Sequence, residues 1–141
     1  MNNYDEKLIE NTKRNEKFIK EFEEWLTNKG LVNKTIKKHI GNVNLYINDY
    51  LNYYDITKME DGMDEVYSFL NGWFIEKCMW ASKTSIRETA ASIKKFYECM
   101  SEFGYVKYED YKDMCFIIKD NMDEFLSTLH DFDNGTFYDI F

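Results

Sequence analysis

Residues 82–104 read SKTSIRETAASIKKFYECMSEFG, and the spacing within them decides the fold class. Ser82 stands where a side-chain oxygen can cap the free amides of a first helical turn, and Ser85 with Glu88 offers a second capping pair three residues apart. Ile86, Ala90, Ile93, Tyr97 and Met100 then recur at steps of four and three, with Phe96 and Phe103 widening the stripe. Gly104 follows where a left-handed residue ends a helix. Lys83, Arg87, Lys94 and Lys95 lie outside the stripe. The segment is an amphipathic helix with a basic outer face. Such a face serves either nucleic acid or solvent.

The neighbouring segments carry the same helical period. Upstream, residues 63–80 (MDEVYSFLNGWFIEKCMW) are apolar around nearly the whole circumference, Met79 and Trp80 included, which predicts a central, buried helix. Asn71-Gly72 inside it predicts a bend or a break. Residues 55–62, DITKMEDG, read as a loop. A second helix is predicted from about Lys34 to Tyr53, on a repeat of Ile36, Ile40, Val43, Ile47, Tyr50 and Tyr54, with Asn33 as its cap. Lys34, Lys37, Lys38, Asn44 and Asn48 form its outer face, Gly41 is simply tolerated, and His39 is a surface histidine without a ligand role. The first helix reads from Thr12 to Lys29 on Phe18, Phe22, Trp25 and Leu26. Gly30 ends it, Leu31 and Val32 pack into the turn, and residues 1–11 show only a weak pattern. Trp25, Trp73 and Phe96 are expected in the core.

Downstream, Tyr111, Cys115, Ile118, Met122, Phe125 and Leu129 keep a 4-3-4-3-4 register in a helix from Tyr108 to about His130. That register serves either packing on the bundle or a seam over 111–129 for a protein partner or a second copy. The tail is acidic and aromatic, and Phe137, Tyr138, Ile140 and Phe141 are expected to fold back. Asp131, Asp133 and Asp139 do not make a calcium loop, since Gly135 falls one place early and no Glu closes it.

With 141 residues, no proline and six glycines, the chain reads as one all-α domain, residues 1–141, of long helices and short connections. No apolar run approaches the ~20 residues that span a bilayer, and the polar, mixed-charge start is no secretory signal. A soluble cytoplasmic protein is expected. Cys78, Cys99 and Cys115 are too scattered for a disulfide framework or a zinc site. The formal charge of −8 is uneven: residues 33–53 sum to +2 and 82–104 to +1, while 105–141 sum to −6. An acidic whole opposes tight nonspecific binding to nucleic acid without excluding a local basic face. No phosphate-cradling loop, nucleophile elbow or metalloprotease motif is present. The expectation is a non-enzyme without metal or small-molecule cofactor.

FIKEFEEWLTNKGLVNKTIKKHIGNVNLYINDYL and SKTSIRETAASIKKFYECMSEFGYV together resemble the N-terminal core-binding domain of phage integrases and other tyrosine recombinases. Gly30-Leu31 with Thr35-Ile36, and Ser85-Ile86 with Lys95-Phe96-Tyr97 and Met100, carry the likeness, which covers residues 12–106. The resemblance implies a SAM-like orthogonal bundle of four helices, here followed by an acidic C-terminal helix and tail over 107–141. It also implies a mobile-element module that contacts double-stranded DNA through Lys34, Lys37, Lys38, Lys83, Arg87, Lys94 and Lys95, with Arg87 suited to a base edge. On that geometry these cations share one face and the acid of 105–141 lies on the far side. The catalytic domain of the family has no counterpart, as 105–141 contains no Arg. A helical protein-interaction module that has lost DNA binding is the alternative.

Overall fold

The chain becomes helical well before its apolar stripe begins. In the computed structural model, which describes residues 2–135, α1 runs from Asn3 to Asn28. The Asn2 side chain caps it by accepting from the Asp5 amide at 2.8 Å, and Asp5 and Glu6 suit the positive end of the helix dipole. Capping and charge therefore extend the helix through residues 3–11, where apolar spacing alone places its start at Thr12. Phe18, Phe22 and Leu26 are buried. Trp25 is only half-buried, because its indole N–H reaches out to the Glu102 carboxylate at 2.8 Å.

Gly30 turns the chain at φ 86°, and Leu31 packs against the core while Val32 stays exposed. α2 (Asn33–Asn44) follows at once. Asn33 is its first residue and not its cap, since that position falls on Val32, which has no oxygen to offer. α2 widens without a break into a π-helical stretch, Leu45–Tyr50, which turns Tyr46, Ile47 and Tyr50 inwards. Helical structure ends there, so Tyr53 and Tyr54 lie exposed in the turn beyond. At Gly41 a Cβ would meet nothing within 4 Å, so the glycine is tolerated and not required.

Asn44 and Asn48, expected on the outer face, are half-buried against α1. The Asn15 amide donates to Asn48 Oδ1 at 2.8 Å, Asn48 donates to Asn44 Oδ1 at 2.8 Å, and Asn11 donates to Asn52 Oδ1 at 2.9 Å. α1 is thus fastened by amides along its N-terminal half, while further along Phe18, Phe22 and Leu26 are buried, Phe18 against Tyr105 and Phe22 against Phe96.

A 3-10 turn, Met59–Glu65, occupies the end of the expected loop and the start of the expected third helix. Two buried tyrosines hold it: Tyr46 donates its hydroxyl to the Gly62 carbonyl and Tyr97 donates to the Met59 carbonyl. The third helix is composite, with α3 (Val66–Ser68), a π turn Phe69–Trp73, and α4 (Phe74–Lys77). Asn71-Gly72 does not end it. The turn widens there, and Asn71 Oδ1 accepts from Thr128. Val66, Phe69, Leu70, Trp73 and Phe74 are buried as expected of a central helix. Met79 and Trp80 are not, at 100% and 61% exposed, because the helix stops at Lys77.

α5 (Lys83–Glu102) opens on a reciprocal box: the Ser85 amide donates to Ser82 Oγ and the Ser82 amide to Ser85 Oγ. Ser85 thus serves Ser82 and does not pair with Glu88. Ile86, Ala90, Ile93, Phe96, Tyr97 and Met100 are buried, while Phe103, at the C-cap, is exposed. α6 (Tyr108–Asp133) packs on α5, α3 and α4. Its Met114, Ile118, Phe125 and Leu129 enter the core, with Tyr111, Cys115 and Met122 half-buried. Most of the register is therefore used within the chain. The described residues form helices and turns with no strand, in an all-α fold, and no described helix is long and apolar enough to cross a membrane. The expected folding back of Phe137, Tyr138, Ile140 and Phe141 lies outside the described residues.

Candidate functional site

α5 has a neighbour on each flank, and its sequence gives the flanks different characters. Towards α2 it presents Glu88 and Ser92. The Ser92 hydroxyl contacts His39 Nδ1 at 2.7 Å and accepts from the Asn42 amide at 3.0 Å, and Glu88 pairs with Lys38. His39 is therefore half-buried in a polar contact, not a free surface side chain. Its pKa is lowered, first by burial and then by the charges of Lys95 and Lys38. Those two lysines, from different helices, converge on one histidine.

Towards α6 the residues are Arg87, Ala90, Ala91, Lys94 and Glu98, which fall on one strip at helical spacing. The alanines are too short to fill the space to α6. A groove of about 700 Å³ remains, floored by Ala90, Ala91, Tyr111, Cys115, Ile118 and Met122. Arg87, Lys94, Lys95 and Lys119 rim it, with Glu98 its one carboxylate. Among the described residues none of these four cations forms an ion pair. Burial also raises the pKa of the Tyr111 hydroxyl, with its contact to Cys115 adding to the effect.

The seven predicted DNA-contacting residues are thus divided. Arg87, Lys94 and Lys95 gather at the groove, and Lys38 is drawn towards α5 by Glu88. Lys34, Lys37 and Lys83 are exposed and without ion pairs among the described residues, outside the groove lining. Nor is the acidic C-terminal helix on the far side: α6 is the groove's second wall. Part of its acid is turned away from the groove. Glu124 accepts from the Tyr67 hydroxyl of α3, and Asp110 and Asp113 share that flank at 100° per residue. Lys119 sits on the groove flank. The −6 summed over 105–141 conceals it, and a wheel drawn about Ile118 would have found it.

Cys78 and Cys99 are buried, which pushes their thiols up to about 11 and about 12. Among the described residues no three His, Cys, Asp or Glu side chains are placed to hold a metal ion. Comparison with protein families, with curated proteins and with solved structures finds no match to the chain.

Proposed function

We propose that the chain is a non-catalytic interaction module that receives an acidic amphipathic segment of a partner protein in the α5–α6 groove. The observation that carries this reading is an apolar floor ringed by four cations that lack ion-pair partners among the described residues. An amphipathic helix lays its apolar face on such a floor, and acidic residues along its edges meet Arg87, Lys94, Lys95 and Lys119. Exposed ion pairs contribute only ~0.2–1 kcal/mol each. Apolar burial therefore supplies the affinity, while charge sets orientation and association rate. Three scattered cysteines, two of them buried, support a reducing compartment such as the cytoplasm.

Double-stranded DNA is the second reading, in line with the resemblance to recombinase core-binding domains. The side-by-side packing of α2 and α5 favours it, with Lys34, Lys37 and Lys83 available beside Lys38, Arg87, Lys94 and Lys95. Glu88 and Glu98 stand among those cations, however, and phosphates gain nothing from an apolar floor.

Fluorescence anisotropy separates the two, using a labelled acidic amphipathic helical peptide and a labelled duplex. The expected result is saturable peptide binding that Ala91→Trp blocks and Lys119→Glu weakens. Suppose instead that the duplex binds with a log–log salt slope of about −0.9 per phosphate contacted, and that Lys34→Glu with Lys37→Glu removes binding while Ala91→Trp does not. DNA would then replace the protein partner. A concentration-dependent dimer that excludes the peptide would make a second copy the occupant.

A further inference from the structure

The groove between α5 and α6 is not uniform along its length. Residues 103–107 alone join the two helices, so these run in opposite directions. The charge of Glu98 reaches the Tyr111 hydroxyl, which sets these two residues against each other at one end. Stepping by turns from that pair brings Lys94 and Lys95 level with Cys115, Ala90 and Ala91 level with Ile118 and Lys119, and Arg87 level with Met122. Arg87 to Glu98 spans about 16 Å, the length of three helical turns.

Charge is graded along those turns. Arg87, Lys94, Lys95 and Lys119 take up two of them, and Glu98 closes the third. Glu98 is half-buried and forms no ion pair among the described residues. Lys112, whose ammonium stands over the Tyr108 and Tyr111 rings, is outside the groove lining, and so is Asp123, one turn on from Lys119.

We infer that the groove takes its partner helix in one direction, with the segment's N-terminal turn and a basic residue on it at Glu98, and its acidic residues over the other two turns. This rests on the groove being the partner site proposed above. A uniformly acidic helix would set a carboxylate against Glu98, where partial burial leaves the repulsion poorly screened. A lysine or arginine there exchanges that repulsion for an ion pair. Direction follows from the helix dipoles. α5 begins at Lys83, one turn before Arg87, so its positive end adds to the cations and draws the partner's negative C-terminal end. At the opposite end the C-terminus of α5 and the N-terminus of α6 adjoin and offset each other, which leaves the Glu98 carboxylate to decide. A carboxylate suits the first-turn amides that a helix leaves unpaired. The partner therefore lies along α6 and antiparallel to α5.

Three labelled peptides with one apolar stripe test this on the full chain by fluorescence anisotropy. One has lysine in its first turn and acids after it, one has lysine in its last turn and acids before it, and one has glutamine in place of the first-turn lysine. The first should bind tightest, ahead of the others by about threefold or more, the order of one exposed ion pair. Glu98→Lys should invert the ranking of the first and third peptides and Glu98→Gln should level it, both with the parent's melting temperature. A nitroxide at the N-terminus of the first peptide should broaden the NMR amide signals of residues 98–102 and 108–112 and spare those of 86–90. Equal affinity for the first two peptides, a ranking that Glu98→Lys leaves unchanged, or a nitroxide that broadens residues 86–90 would overturn the assigned direction, while binding that Ala91→Trp blocks still upholds the groove. Failure of all three peptides to bind would overturn both.

Discussion

Replacing Gly62 by alanine probes how closely the 3-10 turn sits on the core. A Cβ there would stand 2.5 Å from the Tyr97 hydroxyl and 2.7 Å from Leu51 Cδ1. Leu51 can yield by turning its branched end. Tyr97 cannot, because its ring is fully buried against Phe96 and its hydroxyl donates to the Met59 carbonyl at 2.8 Å. The methyl fits only if that hydroxyl leaves Met59 or the whole turn lifts, which also strains the bond from Tyr46 to the Gly62 carbonyl. Overpacking costs about 1–3 kcal/mol and an orphaned buried polar group another 1–3, so the loss is about 2–6 kcal/mol. At about 3–5 °C per kcal/mol for a domain of this size, the melting temperature should fall by roughly 6–30 °C. Thermal and urea denaturation followed by circular dichroism measure it, within a double-mutant cycle with Tyr97→Phe. With the hydroxyl gone, the alanine should cost at least about 1 kcal/mol less. A Gly62→Ala protein that melts with the parent, or an equal cost in the Tyr97→Phe background, would refute the reasoning.

Ile93→Ala should destabilise by about 2–5 kcal/mol as a cavity in the α5 interface, read from the urea midpoint. His39 has its pKa held below 6.5 in the folded chain, so the unfolded chain takes up more protons and stability falls as the pH drops through the window just below that value. The parent should therefore lose more stability than His39→Gln between about pH 7 and pH 5.5, and parallel losses would count against this. Removing residues 108–141 strips Met114, Ile118, Phe125 and Leu129 from the core and should leave an aggregating chain. A soluble fragment of undiminished stability would show α6 to be an appendage.

The fold class was legible because five segments repeat apolar residues at helical spacing, and Ser82, Gly30 and Gly104 mark boundaries that local chemistry determines. Part of what the sequence misplaced has little apolar signal. The N-terminal half of α1 is held by a cap, first-turn acids and amides, so periodicity passed over it. Met79 and Trp80 looked central because composition does not show a helix stopping two residues earlier. The candidate site was half legible. Arg87, Lys94 and Lys95 were visible on one helix, but the groove exists only because Ala90 and Ala91 face Tyr111, Cys115 and Met122 across a long separation. Summing charge by segment also hid Lys119, since a helix can be acidic overall and basic along one edge.

A helix fastened by amides detaches differently from one fastened by hydrocarbon. If the N-terminal half of α1 lifts, it uncovers Asn11, Asn15, Asn48 and Asn52, which water takes up readily, and no leucine row for a neighbouring molecule to seize. Phe18, Phe22 and Leu26 meanwhile keep the other half anchored. The molecule can therefore breathe at this end without becoming adhesive. Amide hydrogens of residues 3–15 should exchange at a low opening free energy, and those of 18–26 only when the whole domain unfolds.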